Sequence, residues 1–292
     1  MMTIAILPGL APLAARYDAF IIDMWGVIHD GATAYPSAVA TLKALREAGK
    51  ATLLLSNAPR RANSLVETMT SLGIPRHLYG EVLSSGEAVN DEIRTRRDPF
   101  YAALGQRCYH IGPEHDSSVF EDLSLTLVSD PAQAEFVVNT GPWGPDDTVA
   151  DFEPVLVACA ARHLPMVCAN PDHEVIREGR RAICAGALAA RYQELGGVVS
   201  YRGKPDPAIY ELCLERLGVT DRRRVLAIGD GMETDIAGGA AAGIDTVLVA
   251  GGLHADELGA SVPGAMPDAG RVTALCDRFR LRPIAAIPAL AF

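Results

Sequence analysis

The sequence predicts an α/β protein: a Rossmann-like, doubly wound parallel sheet with an inserted α/β cap domain. Three observations carry this. Short apolar runs alternate with segments of helical periodicity along the whole chain. The runs are continuously apolar, as in strands buried on both faces. Three of them stop at polar residues, Asp23, Ser56-Asn57 and Asp230.

Taken in order, Ala19-Phe20-Ile21-Ile22 is a strand that stops at Asp23. A helix follows Pro36, with Val39, Leu42 and Leu45 on one face and Gly49 as its stop. Ala51 to Leu55 is a second strand. Arg60 to Leu72 reads as a second helix, with Leu65, Met69 and Leu72 on one face and Gly73 after it. This βαβα start implies right-handed parallel crossovers. Towards the carboxyl end, Pro205-Asp206-Pro207 opens a helix closed by Gly218. Val225 to Ile228 is a strand that ends at Gly229-Asp230. A small-residue helix runs from Thr234 to Gly243, and Thr246 to Ala250 is another strand. In the middle, Tyr109–Gly112, Phe136–Thr140 and Met166–Ala169 read as strands, with a helical pattern over Val149–Arg162. The division expected is a core of residues 1–84 plus 200–292 and a cap of residues 85–199.

With 49% hydrophobic and 21% charged residues, the 292-residue chain is long enough for one large or two modest packed domains. A formal net charge of -10 argues against nucleic acid and against anionic membrane surfaces as partners. No apolar stretch reaches the roughly 18 residues that span a bilayer. Pro283 to Phe292 is apolar but carries two prolines, and reads as a docked terminal segment. The six cysteines are scattered, without a Cys-x-x-Cys, and read as buried free thiols suited to the cytoplasm.

Ligands of open parallel sheets bind at the carboxyl edge of the strands. Asp23 and Asp230 are both expected there, and two carboxylates brought together repel unless one is protonated or a cation sits between them. A hard dication with oxygen ligands answers this, and Mg²⁺ is the usual one beside phosphate. Lys204 adds a second positive charge. The Ser56 hydroxyl and the backbone N–H groups of Asn57 and Ala58, leading into the next helix, suit a phosphate.

Four motifs then resemble the haloacid dehalogenase (HAD) superfamily of hydrolases. Asp23-Met24-Trp25-Gly26-Val27 is similar to its nucleophile loop, Leu55-Ser56-Asn57 to its second motif, Arg202-Gly203-Lys204-Pro205 to its third, and Gly229-Asp230 through Thr234-Asp235-Ile236 to its fourth. The Thr-Asp-Ile ending and the long insert resemble class IIA, the branch of the N-acetylglucosamine-operon and p-nitrophenyl-phosphate phosphatases, with the α/β type of cap that goes with that class. Asn170-Pro171-Asp172 and Gly186-Ala187-Leu188 are also similar to that branch.

The resemblance implies a Mg²⁺-dependent phosphatase of a small, sugar-phosphate-like monoester. Asp23 would attack phosphorus and form an aspartyl-phosphate. Mg²⁺ would be held by Asp23, the backbone carbonyl of Trp25, Asp230 and Asp235. Ser56, Asn57 and Ala58 would bind phosphoryl oxygens, and Lys204 would offset charge and fix Asp23. From the insert, Asn170 and Asp172 are candidates for substrate contact, against an ordinary turn around Pro171. Caps of this branch often pair, so a homodimer through the cap is expected.

One position departs from the pattern. The residue two after the nucleophile is usually an aspartate that protonates the leaving group and then activates water, and here it is Trp25. Indole donates a hydrogen bond but shuttles no proton. General acid–base catalysis contributes about 10²–10⁴-fold. Either a downstream residue, His29 or Asp30, replaces the acid, or these two only shape a turn. Impaired turnover with retained phosphate binding, or hydrolysis of a non-ester bond, are the alternative functions. Trp143 as a stacking platform and Arg60-Arg61 as anion contacts stand against loop packing and a solvated helix start.

Overall fold

The computed structural model describes residues 4–177 and 180–292. Its strands are β1 (Ala5–Ile6), β2 (Ala19–Asp23), β3 (Ala51–Ser56), β4 (Glu81–Ser84), β5 (Arg107–Ile111), β6 (Thr126–Val128), β7 (Phe136–Asn139), β8 (Met166–Cys168), β9 (Glu174–Arg177), β10 (Arg180–Ile183), β11 (Val199–Tyr201), β12 (Val225–Gly229), β13 (Asp245–Val249) and β14 (Ala285–Ile287). The chain forms two compact units. The first takes the residues up to Ser56, Val66–Leu83 and Lys204–Phe292, and the second takes Asn57–Leu65 and Ser84–Gly203. Against the expected cap of 85–199, the second unit thus runs on to Gly203 and also claims a segment from between β3 and β4.

The first unit is built on a seven-stranded sheet of order β1-β14-β13-β12-β2-β3-β4. β2 is an interior strand, parallel to both β12 and β3, and all five of its residues are buried. That explains its continuous apolar run. Asp23 pairs in register with Leu55, so Asp23 and Ser56 finish neighbouring strands at the same rim. The flanking helices begin and end much as their punctuation predicts. Pro36–Glu47 starts on proline, and Pro207–Leu217 is closed by Gly218 in the left-handed conformation. The second helix starts at Ala62, two residues later than expected.

The carboxyl-terminal segment does more than dock. β14 is inserted between β1 and β13, parallel to both, and the residues after it stay bonded: Gly251 donates to the Pro288 carbonyl at 2.9 Å and Leu10 to the Ala291 carbonyl at 2.7 Å. Leu248, Ala286, Val272 and Leu275 pack in one apolar layer beside it.

The second unit holds a five-stranded sheet of order β11-β8-β7-β5-β6, with parallel neighbours, and a β9–β10 antiparallel pair. Successive residues of β7 serve opposite faces. Phe136 and Val138 pack with Val89, Ile93 and Tyr101, while Val137 packs with Leu156, Leu188 and Tyr192. Both faces are covered, again giving an unbroken apolar run. The helical pattern expected over 149–162 is a 3₁₀ turn, Val149–Phe152, that continues as the α-helix Glu153–Ala161. All six cysteines are buried, and among the described residues no helix is long and apolar enough to cross a membrane.

Candidate active site

Three carboxylates from two strand ends and one helical turn meet in the first unit. Asp23, Asp230 and Asp235 each offer an oxygen within 4.8 Å of the other two. They are 6%, 9% and 5% exposed, and Lys204 is 3% exposed. Lys204 Nζ donates to Asp23 Oδ1 and, at 2.7 Å, to Asp235 Oδ1.

Local backbone geometry sets each carboxylate. Asp23 is the last residue of β2. After it, Ile28 and His29 donate back to the Met24 carbonyl and Gly26 donates to the His29 carbonyl at 2.8 Å, which folds residues 24–29 into a tight turn. Gly26 has φ +79°, and a β-carbon there would lie 2.2 Å from Asp230 Oδ2. Asp230 follows β12, and its Oδ2 accepts the Leu253 N–H at 2.8 Å. Gly252 also crowds it: a β-carbon at Gly252 would lie 2.1 Å from the same oxygen.

Asp235 sits on a π-helical turn, Met232–Ile236, where a helix was expected to begin at Thr234. The Ile236 N–H reaches the Gly231 carbonyl five residues back, at 3.1 Å, in place of the usual four. The turn brings Asp235 Oδ2 within 3.2 Å of the Gly231 N–H and stacks the carboxylate on Gly229, where a β-carbon would lie 2.1 Å from its Cγ.

The electrostatics of the chain alone are unfavourable to Asp23. Burial pushes its carboxyl well above the ordinary range, Lys204 pulls it down, and Asp235 and Asp230 push it up again. Three carboxylates face one ammonium in a nearly closed space. The oxygen donor set and the surplus of negative charge fit a hard dication such as Mg²⁺.

The remaining predicted residues are placed as follows. Ser56 ends β3 beside Asp23. Asn57 and Ala58 belong to the second unit. Because the following helix begins only at Ala62, their N–H groups lie in a loop and not in a helix N-terminus, which corrects the reason given for them from sequence. Asn57 Nδ2 donates to Asp172 Oδ1 at 2.8 Å, and Asn170 Oδ1 accepts the Asp172 N–H at 3.0 Å in a turn around Pro171. Arg61 forks onto Glu87 at 2.7 and 3.1 Å, and Arg60 lies 3.8 Å from Asp116. Trp143 packs on Phe152 with ring centroids 4.2 Å apart.

Both residues weighed as a replacement acid take part in the turn that follows Trp25. Asp30 accepts the Ala32 and Thr33 N–H groups at 2.9 and 2.7 Å, which hold its carboxyl below the ordinary range and therefore ionised. His29 is buried and its Nδ1 accepts the Gly31 N–H at 3.0 Å. The Trp25 and His29 rings meet edge to face at 5.7 Å, and a β-carbon on Gly31 would lie 2.3 Å from the Trp25 ring. Trp25, His29 and Gly31 therefore form one packed turn.

Sequence reasoning missed the contributions of Gly252 and Leu253. Their only signal is the Gly251-Gly252 pair just after a strand, which marks a loop but not what it holds.

The chain is similar to known proteins along most of its length. The family model described as haloacid dehalogenase-like hydrolase matches residues 20–126, and a second one, HAD-hydrolase-like, matches residues 201–276. Chronophin of Rattus norvegicus is 30% identical over 255 residues, covering 85% of this chain and 81% of chronophin. A haloacid dehalogenase-like hydrolase from Brucella suis 1330 superposes with a TM-score of 0.82 at 37% identity, covering 97% of this chain and 98% of the other. The p-nitrophenyl phosphatase of Archaeoglobus fulgidus gives a TM-score of 0.71 at 25% identity, covering 94% and 97%.

Proposed function

Because the chain belongs to the haloacid dehalogenase-like hydrolase family, we propose that it is a phosphoric monoester hydrolase of the cytoplasm, dependent on Mg²⁺ and acting on a small phosphate monoester. The observation that carries the reading is the buried cluster of Asp23, Asp230 and Asp235 with Lys204 bonded to two of them, at the carboxyl rim of a parallel sheet. Relatives named as phosphatases support the reaction class.

The Asp23 carboxylate is the nucleophile. It bonds to phosphorus as the bond from phosphorus to the ester oxygen breaks, leaving an aspartyl-phosphate that water then hydrolyses. The carboxylates of Asp23, Asp230 and Asp235 and the Trp25 carbonyl would hold Mg²⁺, which when bound supplies the positive charge that lets one anion approach another. Lys204 holds Asp23 in place through its hydrogen bond and spreads positive charge between Asp23 and Asp235. The Ser56 hydroxyl, on the adjacent strand end, binds a phosphoryl oxygen. Asn57, Ala58, Asn170 and Asp172 are the further residues proposed to bind substrate.

Trp25 gives this reading its particular form. With indole in the proton-shuttling position and Asp30 held ionised by its turn, the leaving oxygen departs without a strong acid. The enzyme therefore prefers esters of acidic alcohols. A series of aryl and alkyl phosphates with Mg²⁺ tests this: rates should fall steeply as the leaving group becomes more basic, and a flat series would refute it. Water activation is impaired for the same reason, so a phosphorylated Asp23 peptide should accumulate and be visible by mass spectrometry.

The same observation favours one alternative, a phosphate-ligand-binding protein with impaired turnover. Tight Mg²⁺-dependent phosphate binding, with no phosphate released from any ester in a broad panel, would decide for it.

A further inference from the structure

The first unit has another cavity, of about 330 Å³, at the opposite rim of the sheet from Asp23. Its walls include Ala51 and Glu81, the first residues of β3 and β4, whereas Asp23 and Ser56 are the last residues of their strands. Three basic side chains line it, each from a different place in the chain. Arg46 lies in the last turn of the helix Pro36–Glu47, Lys50 in the turn into β3, and Arg216 in the last turn of the helix Pro207–Leu217. His77 adds an imidazole, and Glu81 is the one carboxylate in the lining. In a chain of net charge -10, such a gathering of positive charge runs against the average.

The bonds these cations make leave them poorly neutralised. Arg46 donates to the His77 carbonyl, Arg216 to the Val82 carbonyl at 3.2 Å and Lys50 to the Tyr17 carbonyl at 2.7 Å. The carboxylate nearest Lys50, Asp18, is 4.0 Å away and is forked by Arg224 at 2.7 and 2.8 Å. Among the described residues neither Arg46 nor Arg216 has an ion pair. Helix C-termini attract basic residues through their exposed carbonyls, and this explains one arginine on each helix. It does not explain why both helices, and a lysine from a third element, deliver charge to one cavity.

A second observation points the same way. Tyr79, in the same wall, is 5% exposed, and its buried hydroxyl has no hydrogen-bond partner. A buried donor without an acceptor is rare in native proteins. The backbone beside it is closely packed: Gly80 donates to Thr52 Oγ1 at 2.9 Å, and a β-carbon on Gly80 would lie 2.3 Å from the Thr52 carbonyl oxygen.

We propose that this cavity is an anion site for the phosphate group of a small molecule, separate from the carboxylate cluster. Two guanidinium groups and an ammonium match a phosphate dianion in charge, and guanidinium forks suit its oxygens. The volume accommodates a small metabolite.

Titration of the full chain with inorganic phosphate in EDTA, followed by amide NMR, tests the site. Without a divalent cation the carboxylate cluster repels phosphate, so the result does not depend on the reading of Asp23. The Gly80 and Thr52 amides should shift saturably. The double variant Arg46→Gln/Arg216→Gln should bind at least tenfold more weakly, and Asp23→Asn should leave the Gly80 response intact. Equal affinity in a folded double variant would overturn the proposal. So would silence of Gly80 in the unaltered protein, a measurement that decides the question even if the double variant does not fold.

Discussion

Gly26 and Asp230 approach so closely that a methyl group on Gly26 would stand 2.2 Å from Asp230 Oδ2. Asp230 has little room to retreat, because Gly252 crowds the same oxygen and the Leu253 N–H holds it at 2.8 Å. The loop after β2 and the turn after β12 are thus fitted to each other through backbone, with glycines where any side chain would intrude.

Gly26→Ala should therefore damage the site more than the fold. The positive φ of +79° costs an alanine about 1–2 kcal/mol, a modest drop in thermal stability. Displacing Asp230 should lower Mg²⁺-dependent phosphatase turnover by about 10²-fold or more, the scale of a misplaced reacting group. Calorimetry and steady-state assays read the two effects separately. Near-normal turnover in the variant would show that Asp230 is free to move.

Lys204→Met should reveal how much of the cluster is held apart by one ammonium. Removing one partner of a buried ion pair costs about 3–5 kcal/mol. Because the loss is uncompensated negative charge, Mg²⁺ should restore part of it by binding the folded state. The melting temperature of the variant should accordingly rise more on Mg²⁺ addition than that of the unaltered protein. An equal rise in both would argue against a shared cation site.

His110 supplies a pH dependence. Burial pushes its imidazole down to about 4 from an ordinary 6.5, and its Nε2 lies 2.8 Å from Thr140 Oγ1. Between those two values the unfolded chain binds a proton that the folded chain does not. Stability from this residue is therefore full above pH 6.5 and is lost as pH falls towards 4, by up to about 3 kcal/mol. Between pH 7 and pH 4.5, urea unfolding should show the unaltered protein losing about 2 kcal/mol more than His110→Gln. Parallel losses would sink the assignment.

What the sequence disclosed follows from what it encodes locally. β2, β3 and β12 are buried on both faces, so they read as apolar runs, and their polar final residues stand out. Asp23 and Asp230 were legible for that reason alone. Lys204 has a fainter mark, its place just before the helix-opening Pro205-Asp206-Pro207, and the resemblance of its motif added to it. The π turn at Met232–Ile236 left no trace, because a one-residue change of hydrogen-bond partner needs no particular side chain. β14 is three residues, Ala-Ala-Ile, between prolines, too short for any period to show. The transfer of Asn57–Leu65 to the second unit rests on distant partners: Arg61 and the Ala62 N–H bond to Glu87, and the Arg60 carbonyl accepts from Ser84 Oγ. Nothing in the nine residues themselves announces them.

The placement of β14 between β1 and β13 has a bearing on how the protein is made. Everything the second unit contains has left the ribosome once Gly203 emerges, while the seven-stranded sheet still lacks β12, β13 and β14. Synthesis thus offers the inserted unit a head start, and β1, whose one neighbour among the described residues is β14, waits until residues 285–287 have been made before it finds a partner.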